Sequence, residues 1–180
     1  MKRVSKSDLR KAIQSRTARV AVGASAARGR DNAGVVAASR EYLREMDLRD
    51  FGHAPRAKFH LVLDAHTDEL VKRLPPKARR WGLARKFLNI FLRDSLYTAE
   101  LERAYRLNRH ADLLEIPLDS ITAKELKRIA GRGALPRWPG VCNLKAEVSQ
   151  QYQAVAETEA DRRGIDRVHL DAIWWSLARD

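Results

Sequence analysis

The stretch that decides the fold is residues 74–93, which read LPPKARRWGLARKFLNIFLR. The two prolines stop any preceding helix, because proline lacks the amide donor and fixes its own φ. A basic segment containing one glycine follows, and apolar residues then recur at helical spacing as Phe87, Ile90 and Phe91. The pattern predicts two helices joined by a short cationic turn, with Lys86 opening the second, apolar helix.

The rest of the chain shows the same helical periodicity, and strand-like alternation never lasts longer than a few residues. We therefore expect an all-α protein that forms one compact domain over residues 1–180, with about eight to ten helices. Besides the helix that Lys86 opens, helices are expected at approximately residues 7–20, 35–46, 57–73, 143–163 and 166–178. A segment rich in glycine, alanine and serine, residues 23–34, is expected to be a loop.

The charge balance points to a polyanionic partner. The 180 residues include 35 Lys plus Arg against 23 Asp plus Glu, a formal net charge of +12. Nucleic acid is the first candidate for such a basic surface, and an anionic membrane surface is the second. No apolar window is long enough to span a bilayer, and the N-terminus lacks the apolar core of a secretion signal. We therefore expect a cytoplasmic, nucleoid-associated protein.

Cysteine and histidine usage argues against metal or cluster chemistry. The only cysteine is Cys142, so no internal disulfide and no four-cysteine iron–sulfur cluster is possible. The five histidines lack the spacing of metal ligands. The expectation is a protein with no metal site and no cofactor.

The cationic turn has the features of a phosphate-binding site. Backbone N–H groups at a helix N-terminus bind phosphate, and nearby cations add charge. The candidate contacts to a DNA backbone are Lys77, Arg79, Arg80, Gly82 and Arg85. The alternative interpretation is a basic face that is only solvated.

Lys86 and Asp119 form the candidate catalytic pair. Burial in an apolar helix lowers the pKa of a lysine amine and makes it a usable nucleophile. Asp119 follows Ile116-Pro117-Leu118, which is expected to be extended, and stands at a helix start, where the helix dipole keeps a carboxylate ionised. An amine and a carboxylate held together could cleave a glycosidic bond. The alternative is that Asp119 is only a helix cap and Lys86 a surface lysine.

The C-terminal segment supplies a candidate base-reading pair. Asp171 and Trp175 are four residues apart and project from one helical face. An indole can pack on a flipped base while a carboxylate accepts its N–H donors. Alternatively, Trp174 and Trp175 are core residues, although adjacent positions on a helix face different directions.

Three segments together resemble the archaeal-type 8-oxoguanine DNA glycosylase/lyase family, a branch of the helix-hairpin-helix superfamily. They are residues 86–93 (KFLNIFLR), 116–119 (IPLD) and 168–175 (VHLDAIWW). The resemblance anchors roughly residues 75–180. It implies a helix-hairpin-helix glycosylase fold, with residues 1–73 as an N-terminal helical part and residues 74–180 as the hairpin and catalytic part.

The same resemblance implies the chemistry. Lys86 would be the Schiff-base nucleophile, Asp119 the catalytic carboxylate, and Asp171, Trp175 and Arg93 the residues that line the base pocket. Arg93 stands where the family has a lysine, and the first 70 residues depart from the family's N-terminal pattern. The implied activity is excision of an oxidised purine, 8-oxoguanine first, followed by β-elimination, on double-stranded DNA and by a monomer.

Three alternatives remain open. They are a glycosylase for a different damaged base, a non-enzymatic DNA-binding protein that uses the same hairpin, and a basic protein for RNA or an accessory of a mobile element. Simple binding would need neither the Lys86–Asp119 pair nor the Asp171–Trp175 pair.

Overall fold

The computed structural model describes residues 4–23 and 34–177, and no strand occurs in those ranges. Nine α-helices lie within them: α1 (Lys6–Ala21), α2 (Val35–Glu45), α3 (Arg49–Gly52), α4 (Phe59–Arg73), α5 (Trp81–Tyr97), α6 (Ala99–Tyr105), α7 (Ser120–Ala130), α8 (Ala146–Arg163) and α9 (Leu170–Leu177). The prediction of an all-α single domain is confirmed. Most of the predicted glycine-rich loop, residues 24–33, lies outside the described residues, as does residue 178, the predicted end of the last helix.

Helices α4 and α5 are joined by the short cationic segment, the hairpin turn. Leu74 leaves α4 in an extended conformation, and Pro76–Ala78 form one 3-10 turn before α5 begins. The two helices pack against each other. Helix α5 starts at Trp81, one turn earlier than the sequence suggested, so Lys86 lies in its second turn rather than at its start. The cationic turn is correspondingly shorter, residues 74–80.

The apolar side chains divide into two clusters on either side of the chain near residue 115. The first gathers side chains from α1 to α6, among them Leu43, Leu63, Phe87, Phe91 and Leu101. The second gathers the C-terminal elements, among them Ile116, Leu126, Tyr152, Leu170 and Trp174. Helix α5 belongs to both, since Phe87 lies in the first cluster and Trp81 packs against the second. Helix α5 therefore lies at the junction of the two clusters.

The chain crosses between the clusters as a buried, extended segment, residues 114–119. Sequence predicted this conformation from Pro117, and the backbone at Leu114 and at Asp119 is extended. Such a segment has no helical partners for its backbone polar groups, so side chains must supply them. The Gln153 amide does so for Ile116, accepting from its N–H at 3.1 Å and donating to its carbonyl at 2.8 Å. Arg167 donates to the carbonyls of Leu113 and Leu114 at 3.1 and 3.0 Å.

Candidate active site

Lys86 and Asp119 meet where α5 passes the start of α7. The Lys86 Nζ lies 4.0 Å from Asp119 Oδ2, and only 14% and 13% of the two side chains are exposed. The other carboxylate oxygen, Oδ1, accepts the backbone N–H groups of Ile121 and Thr122 at 2.9 and 3.0 Å. Asp119 is therefore the N-cap of α7 and at the same time the partner of Lys86. The two interpretations of Asp119 are compatible because they use different oxygens.

The predicted base-reading residues Arg93 and Asp171 also come together. Arg93 lies two turns after Lys86 on the same face of α5. Its Nη1 donates to Asp171 Oδ2, and its Nε and Nη2 donate to Asp94 Oδ1 at 3.0 and 2.8 Å. Asp171 is 2% exposed. The carboxylate is thus an ion-pair partner rather than an open acceptor, which modifies the role expected for it.

Thr122 connects the two pairs and was missed by the sequence analysis. Its backbone N–H is one of the groups that Asp119 caps, and its hydroxyl donates to Asp171 Oδ1 at 3.2 Å. Thr122 is fully buried. A continuous polar path therefore runs from Lys86 through Asp119, Thr122 and Asp171 to Arg93. The spacing of three residues from Asp119 to Thr122 was visible in the sequence, but the contact with α9 was not.

The two tryptophans of α9 differ in burial, as expected for adjacent positions on a helix. Trp174 is buried in the second apolar cluster, whereas Trp175 is only partly buried, one turn after Asp171. Further along α5, the Tyr97 ring stacks on His169 with centroids 5.6 Å apart, and the Tyr97 hydroxyl lies 2.9 Å from His169 Nδ1. Burial raises the pKa of Tyr97 above its ordinary value. Tyr97 is half exposed and was not predicted as a site residue, although it lies one turn beyond Arg93.

Arg85 was predicted as a DNA-backbone contact, and the structure corrects this. Only 5% of the residue is exposed. Its Nε and Nη2 donate to Glu115 at 2.8 and 2.9 Å, and its Nη1 donates to Asp64 and Thr67 at 2.8 Å each. The guanidinium also lies 5.2 Å from the Trp81 ring centroid. Because its donors face these groups, Arg85 tethers α5 to α4 and to the extended segment, and cannot reach a phosphate.

Glu115, the partner of Arg85, is buried and ionised. Burial alone raises the pKa of this carboxyl, but hydrogen bonds and charge from Arg85, with a bond from Asn89, outweigh burial and lower the pKa below its usual range. Asn89 Nδ2 donates to Glu115 at 3.0 Å. Since Glu115 belongs to the same extended segment as Asp119, this cluster ties that segment to the turn of α5 that carries Lys86.

Gly82, also predicted as a phosphate contact, has a packing role instead. A Cβ placed on it would lie 2.3 Å from the Val141 carbonyl oxygen and 2.6 Å from Leu144 Cβ. Glycine at this position lets the chain around residues 141–144 approach α5 closely. The residue is buried within the first turn of α5, so its Cα is not presented to a ligand.

The remaining predicted backbone contacts are exposed. Lys77 and Arg80 lie on the surface of the hairpin turn. Arg79 is also exposed, and its guanidinium donates to the carbonyls of Leu74 and Lys72, both at 3.2 Å. It therefore satisfies carbonyls at the C-terminal end of α4 while leaving its charge near solvent. These three cations are available to a polyanion.

A groove of about 450 Å³ lies against a different face of α5, bordered by Trp81, Arg85 and Glu115. The acidic residues Asp64, Asp68 and Glu157 line the same groove, so it is unsuited to an anionic ligand. Across the described residues, no group of three or more His, Cys, Asp or Glu side chains could hold a metal ion. In the same part of the chain, no helix is both long and apolar enough to cross a membrane.

Comparison with known proteins gives no relative. No family model matches the sequence, no curated protein matches it, and no solved structure matches the fold.

Proposed function

We propose that this protein is a base-excision DNA glycosylase with an associated lyase activity and a helix-hairpin-helix type of fold. Its substrate is duplex DNA that carries an oxidised purine, with 8-oxoguanine as the first candidate. The observation that carries the proposal is the 4.0 Å approach of Lys86 Nζ to Asp119 Oδ2. Motifs far apart in the chain predicted this pair, and the fold brings it together.

The surroundings of the pair favour chemistry over a chance contact. Both side chains are mostly shielded from water, which strengthens the interaction between amine and carboxylate. Asp119 Oδ1 is held by two backbone N–H groups, so Oδ2 has a fixed direction towards Lys86. Asp119 also stands at the N-terminal end of α7, where the positive end of the helix dipole faces its carboxylate. A preorganised carboxylate of this kind can stabilise a developing sugar cation without reorganising.

The proposed reaction proceeds through a covalent imine. After the Lys86 ammonium gives up a proton to water, its amine attacks the anomeric carbon, a C–N bond forms, and the bond to the damaged base breaks with its electron pair leaving on the base. Asp119 stabilises the positive charge that develops on the sugar. The C1′–O4′ bond then breaks with its electron pair on O4′, and the two protons of the lysine nitrogen pass to the departed base and to O4′, which leaves an imine on the opened sugar. Loss of a proton from C2′ to water then breaks the C3′–O bond, and the 3′ phosphate leaves with the electron pair by β-elimination. Lys86 is released when water hydrolyses the imine.

The base pocket would be formed by the Arg93–Asp171 pair and Trp175. Both oxygens of Asp171 already accept hydrogen bonds, one from Arg93 and one from Thr122. A flipped base would therefore contact the guanidinium of Arg93 first. It could form a hydrogen bond with the Asp171 carboxylate only if the Arg93 side chain moved away from Asp171. Since the Arg93 guanidinium can only donate hydrogen bonds, we expect it to favour bases with carbonyl acceptors.

Borohydride trapping tests the proposal. Duplexes carrying 8-oxoguanine, uracil, thymine glycol, an alkylated adenine or an abasic site are incubated with the protein and borohydride, and adducts are read on denaturing gels. We expect the wild type to be trapped on the abasic and oxidised-purine duplexes and Lys86→Gln to give none. Lys11→Gln, which removes an exposed lysine on α1, is the matched control and should trap normally. Trapping by Lys86→Gln would overturn the nucleophile assignment.

The charge distribution also favours a second candidate, a DNA-binding protein without chemistry. The net charge of +12 and the exposed cations of the hairpin turn are sufficient for DNA binding and require no catalytic pair. It predicts salt-sensitive binding to undamaged duplex with no adduct on any lesion. A wild-type protein that binds DNA and never traps would therefore favour this candidate.

A further inference from the structure

The loop between α7 and α8, residues 131–145, lies directly beside the hairpin turn. The contact is made through Gly82, whose missing Cβ lets Val141 and Leu144 approach the first turn of α5. The 3-10 turn Val141–Asn143 packs along that end of the helix. The loop therefore lies against the first turn of α5, which directly follows the hairpin turn in the chain.

Both segments carry exposed cations. Arg132, Arg137 and Lys145 are exposed on the loop, and Lys77 and Arg80 are exposed on the hairpin turn. Among the described residues, none of these five forms an ion pair with a carboxylate. Several arginines elsewhere do, including Arg44, Arg49 and Arg73. Exposed cations that are not ion-paired attract a polyanion without first giving up a carboxylate partner.

The loop is fixed in place on both sides of Arg137. The Tyr152 hydroxyl donates to the Pro136 carbonyl at 2.8 Å, and the Trp138 ring packs edge-on against Tyr152 with centroids 5.4 Å apart. Leu144, just before Lys145, is buried in the second apolar cluster. A cation on an anchored backbone loses less conformational entropy on binding than one on a free loop.

We propose that loop 131–145 is a second DNA-backbone contact, in which Arg137 and Lys145 bind phosphates of the duplex held by the hairpin turn. The orientation of the duplex rests on the proposed function, but the contact itself does not require any chemistry. The loop would supply the phosphate contacts that were predicted for Gly82 and Arg85, which are both buried. The ligand is the phosphodiester backbone, so the contact is independent of base sequence.

Salt dependence of binding tests the proposal. Binding of the full-length protein to an undamaged fluorescent duplex is measured by anisotropy at several salt concentrations. Each phosphate contact contributes about 0.9 to the slope of log K against log salt, so Arg137→Gln/Lys145→Gln should flatten the slope by about 1.8. The matched control is Arg103→Gln/Arg109→Gln, which removes two exposed cations near α6, and should change the slope little. Circular dichroism confirms that both variants are folded.

The outcomes separate this proposal from the proposed function. The loop contact would be overturned if the salt slope of Arg137→Gln/Lys145→Gln equalled that of the wild type. It would also be overturned if the control pair flattened the slope by the same amount. If the wild type binds through the loop but gives no borohydride adduct, the glycosylase proposal fails and the loop contact stands. Single-stranded RNA and vesicles of anionic phospholipid serve as competitors. Tighter binding to either one, lost in the loop variant, would reject duplex DNA as the partner.

Discussion

Replacing Glu115 by glutamine should destabilise the protein strongly, although the change removes only a charge. Glu115 is 7% exposed and accepts three hydrogen bonds, two from Arg85 at 2.8 and 2.9 Å and one from Asn89 at 3.0 Å. Glutamine keeps one acceptor oxygen and places an amide donor against the donors of Arg85. The Arg85 charge would then remain buried, with Asp64 as its nearest carboxylate.

The magnitude follows from the buried charge that is left behind. Removing one partner of a buried ion pair costs about 3–5 kcal/mol. Asp64 still binds Arg85 but is 56% exposed, so its attraction is screened and offsets only part of this loss. We therefore expect the free energy of unfolding to fall by about 3 kcal/mol. For a chain of this length, that corresponds to a decrease in Tm of about 6–12 °C.

Thermal and urea unfolding at neutral pH, followed by circular dichroism, measure the effect. The control is Glu41→Gln, which removes a carboxylate that is 62% exposed and should change stability by less than about 0.5 kcal/mol. If Glu115→Gln also changed stability by less than about 0.5 kcal/mol, the Arg85–Glu115 pair would not be an important link between α5 and the extended segment.

The pH dependence gives an independent check of the same interaction. The pKa of folded Glu115 lies below its ordinary value, so the unfolded state takes up a proton first as the solution is acidified. The stabilisation is therefore fully present above the unfolded pKa, about 4.3, and is lost as pH falls through the lower folded pKa. The difference in stability between wild type and Glu115→Gln should shrink across that acidic range. A difference that stays constant to low pH would show that charge is not its source.

Three further changes test the packing and the site. Gly82→Ala should lower stability by about 1–3 kcal/mol in urea unfolding, because its Cβ meets the Val141 carbonyl, whereas helix propensity alone predicts a gain of about 1 kcal/mol. Gln153→Leu should cost about 2–4 kcal/mol by leaving the Ile116 N–H and carbonyl buried without partners, and Gln150→Leu, exposed on the same helix, should cost little in the same assay. Asp119→Asn should slow base excision strongly in single-turnover assays while leaving duplex affinity nearly unchanged; an unaffected excision rate would remove Asp119 from the mechanism.

The parts of the fold that sequence predicted well are governed by local rules. The first helix was expected at residues 7–20 and spans Lys6–Ala21. The prediction was accurate because the spacing of apolar residues indicates a helix from local sequence alone. The same holds for the proline stop after α4 and the extended conformation before Asp119. The division between a buried Trp174 and a partly buried Trp175 also follows from the helical repeat alone.

The parts that sequence missed depend on partners far away in the chain. Arg85 stands among exposed cations, and nothing near it shows that Glu115 will bury it. Gly82 was interpreted as a phosphate-binding glycine because the approach of Val141 cannot be inferred from its neighbours. The contact of Arg93 with Asp171 joins α5 to α9, and only the tertiary fold makes it. Charged residues were therefore the least predictable, since their burial is decided by pairing rather than by periodicity.

The double role of Asp119 decides which experiment can establish its function. One oxygen caps α7 and the other faces Lys86, so a loss of stability in an Asp119 variant cannot exclude a role in chemistry. Asp119→Ala removes both roles and should cost about 1 kcal/mol through the lost cap alone. Asp119→Asn keeps an oxygen for the cap and removes only the charge opposite Lys86. Comparing these two variants separates the structural contribution of the carboxylate from its electrostatic one, because only the second depends on ionisation.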